Sequence, residues 1–210
     1  MKWIVTIGRL LFLALFMYLI ITGNMMVWLA LFAVSLIIAI FFGRLFCGYV
    51  CPMNTVMLPF EWLSKKLNIQ SQRAPKWLEK GWLPWVSLGL SVALMLISKK
   101  LWHINLPILF IWLAIAIIVT LRYKPYLFHN QICPFGALQK TFGRFAKLSK
   151  RVDPATCIGC KKCEEVCPSN AIIVDVDDEK AAIFKELCHQ CINCSNVCPT
   201  SAIEYSSGKE

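Results

Sequence analysis

The feature that leaves this chain least freedom is a pair of cysteine runs near its carboxyl end. Cys157-x2-Cys160-x2-Cys163-x3-Cys167-Pro168 is repeated thirty-one residues on as Cys188-x2-Cys191-x2-Cys194-x3-Cys198-Pro199. This is the spacing of bacterial two-cluster iron–sulfur ligation. Three closely spaced thiolates wrap one cubane, while the fourth cysteine, before the proline, ligates the cluster of the other run. One [4Fe–4S] cluster is therefore expected on Cys157, Cys160, Cys163 and Cys198, and a second on Cys188, Cys191, Cys194 and Cys167. Zinc is the competing metal for Cys-x2-Cys pairs, but the duplicated Cys-Pro ending favours clusters. A disulfide framework would need an oxidising compartment, and no route delivering this segment to one is visible. His189, inside the second run, is expected to be a solvent-facing loop residue, because four cysteines already suffice.

The repeat outlasts the cysteines: Ala171 and Ile172 recur as Ala202 and Ile203. Ile172–Val176 and Ala181–Phe184 flank the turn Asp177-Asp178-Glu179-Lys180 and predict a short hairpin. Residues 152–206 read as a small α+β domain of the bacterial two-cluster ferredoxin type. A domain of about 55 residues buries little apolar surface, so cluster binding is expected to supply much of its folding energy.

The remainder, 1–151, reads as an all-α membrane anchor. The chain is 58% hydrophobic with a mean hydropathy of +0.60, against about 45–50% apolar for soluble domains. Four apolar stretches, Trp3–Ile21, Met25–Phe42, Trp82–Ile97 and Leu106–Leu121, predict four transmembrane helices in two hairpins. The last two are short for a bilayer, which takes about 17–25 residues, and Trp82 and Trp102 would extend them at the interfaces. Lys2 before an apolar run also fits a cleaved signal peptide, but no small-residue cleavage site follows and a second span begins at once.

Charge orients the anchor. Residues 1–151 hold 17 Lys/Arg against Glu61 and Glu79, whereas 152–206 hold 4 Lys against 9 Asp/Glu. With the N-terminus inside, twenty basic residues fall on the cytoplasmic side and only Lys99 and Lys100 outside, which follows the positive-inside rule. The expected location is the inner (cytoplasmic) membrane, with the ferredoxin domain cytoplasmic. Arg9, within the first span, is expected to snorkel to the inner face. The basic residues border apolar spans and form no isolated patch, so anionic lipid is the expected partner and nucleic acid is not. No span carries the paired histidines of a haem site. His103, at the outer end of the fourth, reads as an interfacial residue, with quinol proton transfer as the functional alternative.

Two segments in the anchor repeat each other at an offset of 82. Leu45-Phe46-Cys47-Gly48-Tyr49-Val50-Cys51-Pro52 and Leu127-Phe128-His129-Asn130-Gln131-Ile132-Cys133-Pro134 share Leu, Phe, Cys and Pro, with His129 in the place of Cys47. Each follows a predicted hairpin, so the anchor reads as two duplicated hairpins. Convergence of Cys47, Cys51, Cys133 and His129 would create an additional cluster site, since histidine can replace a cysteine ligand. The plain alternative is buried, reduced cysteines used as small apolar residues. A basic amphipathic segment follows each motif. In the second, Leu138, Thr141, Phe142, Phe145 and Leu148 keep helical spacing while Lys140, Arg144, Lys147 and Lys150 point elsewhere, predicting a helix on the membrane surface or a docking face for the acidic domain.

On Gly43-Arg44-Leu45-Phe46-Cys47-Gly48-Tyr49-Val50-Cys51-Pro52, Cys133-Pro134-Phe135-Gly136-Ala137-Leu138 and the two four-cysteine runs, the chain resembles the membrane polyferredoxins of the NapH type over nearly its whole length. That resemblance implies four spans, two Cys-x3-Cys-Pro motifs and a cytoplasmic double-cluster domain. It also implies electron transfer among the quinone pool, cytoplasmic carriers and partner redox subunits. The chain departs from it at His129, where the family places a cysteine, and is too short for the flavin-binding extracellular domain of larger regulatory relatives. The expected role is an electron-transfer subunit of a redox complex, not an independent catalyst. The alternatives are a redox-active assembly or regulatory factor for a respiratory metalloenzyme, or a plain anchor for a ferredoxin.

Overall fold

The computed structural model describes residues 2–71, 75, 77–78, 81–102, 108–175 and 179–207. The chain folds into two compact units, Met1–Cys51 with Gln139–Glu210, and Pro52–Leu138. The first hairpin is thus grouped with the carboxyl-terminal domain, across the division at residue 151 expected from composition.

In the first unit, α1 (Lys2–Ile21) and α2 (Met25–Phe42) are apolar on nearly every face. At 1.5 Å per residue, 20 residues span about 30 Å, the thickness of a bilayer core. Ile4, Leu11, Ile21, Met26, Ile37 and Phe41 are exposed, as lipid-facing side chains are. Inside the pair, Phe16 meets Trp28 edge-on at 5.0 Å and Phe32 meets Phe46 at 5.2 Å. These ring contacts carry the seam from the hairpin into a π-helical turn, Phe46–Val50. Ser35, buried in α2, accepts a hydrogen bond from Gln139 Nε2 at 2.8 Å, which gives one apolar span a polar tie.

In the second unit, α3 (Pro52–Lys66) lies along α5 (Ile108–Arg122). Ser64 Oγ donates to the Leu121 carbonyl at 2.6 Å, Ser71 N to Arg122 O at 2.7 Å and Gln70 Nε2 to Tyr123 O at 3.2 Å. The helix α4 (Leu83–Ile97) runs on into a π-helical turn, Ser98–Trp102, and Trp112 Nε1 of α5 donates to its Ser91 at 2.9 Å. After the short helix α6 (Pro125–Leu127) comes another π-helical turn, Phe128–Ile132, and then α7 (Pro134–Gly143), whose residues from Gln139 on belong to the first unit.

Among the described residues three helical stretches are long and apolar enough to cross a membrane: Trp3–Ile21, Met25–Phe42 and Leu83–Leu101. The third outlasts its sequence estimate because the helix continues through Ser98. The fourth candidate is the shorter Ile108–Arg122, which at 15 residues reaches about 22 Å. His103 lies outside the described residues.

The basic segment after the second motif departs from its helical expectation. The helix stops at Gly143, and Leu148–Val152 becomes a strand, β1, paired antiparallel with β4 (Ile203–Ser207). Lys150 sits opposite Tyr205 and Val152 opposite Ile203. Leu148 and Lys150 therefore belong to the ferredoxin fold and not to a surface helix. The predicted hairpin forms as β2 (Ile172–Val174) against β3 (Ala181–Ile183); Val176, Asp177 and Asp178 lie outside the described residues. Two short helices, α8 (Lys162–Glu165) and α9 (Asn193–Val197), each carry the third cysteine of a run. The core is small and sulfur-rich: Cys163 and Cys194 pack with Ile172, Val174, Ala181 and Ile203.

Candidate iron–sulfur centres

Backbone geometry repeats with the cysteines. Between the first two cysteines of each run one residue takes a left-handed conformation, Gly159 at φ +64° and Gln190 at φ +55°. A Cβ on Gly159 would also run into the Glu179 carbonyl, so only glycine fits the first copy. After the fourth cysteine, Asn170 (φ +49°) and Ser201 (φ +53°) turn the chain back. That turn aims a backbone amide at each sulfur: Ala171 N donates to Cys167 Sγ and Ala202 N to Cys198 Sγ, both at 3.3 Å. Ser169 and Thr200 hydroxyls stand 3.6 Å from the same two sulfurs.

The folding exchanges the fourth cysteines. Cys157, Cys160, Cys163 and Cys198 line one cavity, closed by Val152, Val174 and Ile203. Cys167 lies in the electrostatic neighbourhood of Cys188, Cys191 and Cys194. None of the eleven cysteines forms a disulfide, and among the described residues no three His, Cys, Asp or Glu side chains gather closely enough to share one ion. All-sulfur donors with amides already aimed at them suit a [4Fe–4S] cluster.

The two sets differ in environment. In the first set Cys160 is exposed, Cys157 and Cys198 are half-buried and only Cys163 is buried, whereas in the second Cys188, Cys191 and Cys194 are buried and only Cys167 is half-buried. Burial pushes the Cys188 thiol up to about 12 and raises Cys191 and Cys194 as well. At Cys198 burial also pushes upward, but the Thr200 hydroxyl and the Ala202, Thr200 and Ser201 amides outweigh it and hold the thiol below its ordinary value. A protonated thiol is no ligand, so binding at the buried set must release protons that burial holds tightly.

The buried set is covered by the first anchor turn, within the same compact unit. Tyr49 Oη donates to the Gln190 carbonyl at 3.0 Å, Arg44 Nη1 to Glu186 O at 3.3 Å and Tyr205 Oη to Phe42 O at 2.9 Å. Gly48 lies against the His189 carbonyl so closely that a Cβ would overlap it. His189 is consequently 1% exposed, not the solvent-facing residue expected: the turn that covers it is 140 positions away in sequence. Arg9 is likewise more than a snorkelling side chain, because its Nε donates to Gly48 O at 2.9 Å. Sequence reasoning placed Tyr49 in the first motif and Lys150 in a basic segment without assigning either to the second cysteine run, and it missed Gln190, whose left-handed backbone makes it the counterpart of Gly159.

The anchor motifs repeat in backbone as in sequence. Cys51 N bonds Phe46 O and Cys133 N bonds Phe128 O, each at 2.8 Å. Cys51 (φ −63°, ψ 118°) and Cys133 (φ −65°, ψ 120°) end their π-helical turns alike. Cys47 and Cys51, in the first unit, are buried, and Arg44 Nη2 stands 3.7 Å from Cys47 Sγ. In the second unit His129 is buried edge-on to Phe128 and Cys133 Sγ accepts from Gly136 N at 3.4 Å.

These features define a membrane iron–sulfur protein with a ferredoxin domain. Residues 24–70 and 104–152 match the family described as "4Fe-4S binding domain", each match holding one anchor turn, and residues 149–202 match "4Fe-4S dicluster domain". The chain belongs to the NapH-type family of ferredoxin-type membrane proteins. It is 30% identical to the "Ferredoxin-type protein NapH" of Haemophilus influenzae over 155 residues, covering 67% of this chain and 53% of that one. The "Methylamine utilization ferredoxin-type protein MauN" of Methylobacillus flagellatus is 29% identical over 178 residues, covering 76% and 62%. An uncharacterized protein of Methanocaldococcus jannaschii is 28% identical over 156 residues, covering 71% and 61%. The chain thus spans between about half and three fifths of the length of these curated relatives. No solved structure matches it.

Removing iron tests how far the small domain depends on it. Anaerobic chelation of the full chain is expected to open residues 152–207 to protease while α1 and α2 stay protected, since metal ligation supplies folding energy in domains this small. Equal protection of that segment with and without iron would contradict this.

Proposed function

We propose that this chain is a membrane-bound electron-transfer iron–sulfur protein, a subunit linking the quinone pool or a partner oxidoreductase with cytoplasmic electron carriers. The reading is carried by the exchange of Cys167 and Cys198, which makes each the fourth thiol of the opposite set. Cys157, Cys160, Cys163 and Cys198 hold one cluster, and Cys188, Cys191, Cys194 and Cys167 the other. Bound there, the clusters supply reversible one-electron chemistry. The protein's part is to fix the thiolates, direct Ala171 and Ala202 amides at them and keep water from the buried set. The exposed edge at Cys160 is the port for a soluble carrier, and the buried set faces the anchor turn.

The anchor crosses the inner membrane four times as two duplicated hairpins, the Ile108–Arg122 helix being the shortest span. Its amino terminus and the ferredoxin domain lie on the cytoplasmic side, with the basic residues that border the spans there facing anionic lipid. Relatives named as ferredoxin-type proteins, one of them by its name a methylamine utilization protein, suit an electron carrier. Iron in excess of eight per chain would belong to Cys47, Cys51, Cys133 and His129, and replacing those cysteines is expected to remove it while leaving both ferredoxin clusters.

The test is stopped-flow absorbance of the full chain in liposomes, mixed anaerobically with a soluble quinol or with a reduced soluble ferredoxin. Bleaching of cluster absorbance by either donor is expected. Clusters that dithionite reduces but neither donor does would overturn an electron-transfer role.

A further inference from the structure

Two cations are brought to the buried thiol set from outside the cysteine runs. Lys150 arrives by strand pairing. Its Nζ donates to Ser195 Oγ at 2.8 Å, next to Cys194, and its backbone N donates to Gln190 Oε1 at 3.0 Å, next to Cys191. The residue is 8% exposed. Among the described residues no carboxylate pairs with it; its Nζ is held by the Ser195 hydroxyl. A buried ammonium with only a neutral hydroxyl partner is unfavourable, unless another negative charge is present in the functional protein. Arg9 arrives from α1: its guanidinium holds Gly48 O at 2.9 Å, and Gly48 abuts the His189 carbonyl between Cys188 and Cys191. Both positive charges are thus carried to the backbone around the second thiol set, Lys150 beside Cys194 and Arg9 beside the Cys188–Cys191 loop.

We infer that Lys150 and Arg9 raise the potential of the cluster in the second thiol set. The inference relies on the cluster assignment above. A cluster that accepts one electron gains one negative charge, and a fixed cation in a low-dielectric site favours that form. The first set has its own cations, Lys161 and Lys162 lining its cavity and Lys180 Nζ donating to the Cys157 carbonyl, but Cys160 is exposed there, and water and salt screen such charges.

The test is a redox titration of the full chain in detergent, reduced with dithionite and followed by EPR, with Cys194→Ser identifying the second cluster's signal. At a fixed potential, Lys150→Met and Arg9→Met are each expected to shift the reduced-to-oxidised ratio of that cluster about tenfold toward oxidised. For one electron this is a midpoint about 59 mV lower. The first cluster's midpoint stays in place, and Lys150→Arg and Arg9→Lys keep the wild-type value. If Lys150→Met loses its cluster, Arg9→Met decides alone, because methionine suits an apolar helix. An unmoved midpoint, an equal shift of both clusters, or an equal loss in the charge-keeping variants would overturn the inference. A count of about eight iron in each variant separates that failure from failure of the cluster assignment.

Discussion

Cys198→Ala is expected to strip the cluster of the first run while sparing that of the second, although Cys198 belongs to the second run in sequence. Its sulfur lines the cavity of Cys157, Cys160 and Cys163 and receives the Ala202 amide at 3.3 Å. Removing it takes one of four ligands and leaves a half-buried site open to water. Iron should fall from about eight toward about four per chain. Cys167→Ala should give the mirror result, with loss at Cys188, Cys191 and Cys194. Iron and sulfide counts with EPR on both proteins check this. A Cys198→Ala protein whose second-run signal disappears would show that each run binds its own fourth cysteine.

Gly48→Ala is expected to be the most damaging single methyl group in the anchor. Gly48 has no unusual φ; what requires glycine is the approach of two backbones, since a Cβ would meet the His189 carbonyl. Overpacking typically costs 1–3 kcal/mol, and a backbone obstacle yields less than a side chain, so about 3 kcal/mol is expected. For a chain of this size that lowers Tm by roughly 6–12 °C. Gly89→Ala, where a Cβ meets nothing within 4 Å, is the matched control and should change Tm by no more than about 2 °C. Thermal melts followed by cluster absorbance measure both. A Gly48→Ala protein as stable as the control would mean that the turn does not cover the Cys188–Cys191 loop.

What could be read from the sequence was local chemistry. Cysteine spacing, the Cys-Pro endings and the hairpin at Ile172 and Ala181 each depend on residues a few positions apart, and the structure forms the same hairpin. The repeat of Cys51 and Cys133 was legible too, but its physical form, a π-helical turn closed by a bond from cysteine N to the phenylalanine carbonyl five residues back, was not. The helical period running through Phe145 to Leu148 misled. Nothing local reveals that Leu148–Val152 finds a partner in Ile203–Ser207, fifty-one to fifty-nine residues later. His189 was misjudged for the same reason. Its surroundings come from Gly48, 141 positions away, and tertiary contact decides burial where composition cannot.

Eight carboxyl-terminal thiolates holding two cubanes are the centre on which electron transfer in this protein depends. Mössbauer spectroscopy of the full chain, grown on 57Fe and purified anaerobically, measures them most directly. About eight iron per chain are expected, all in [4Fe–4S] form, with little zinc. Stoichiometric zinc, or iron absent from cubane clusters in an intact protein, would contradict this.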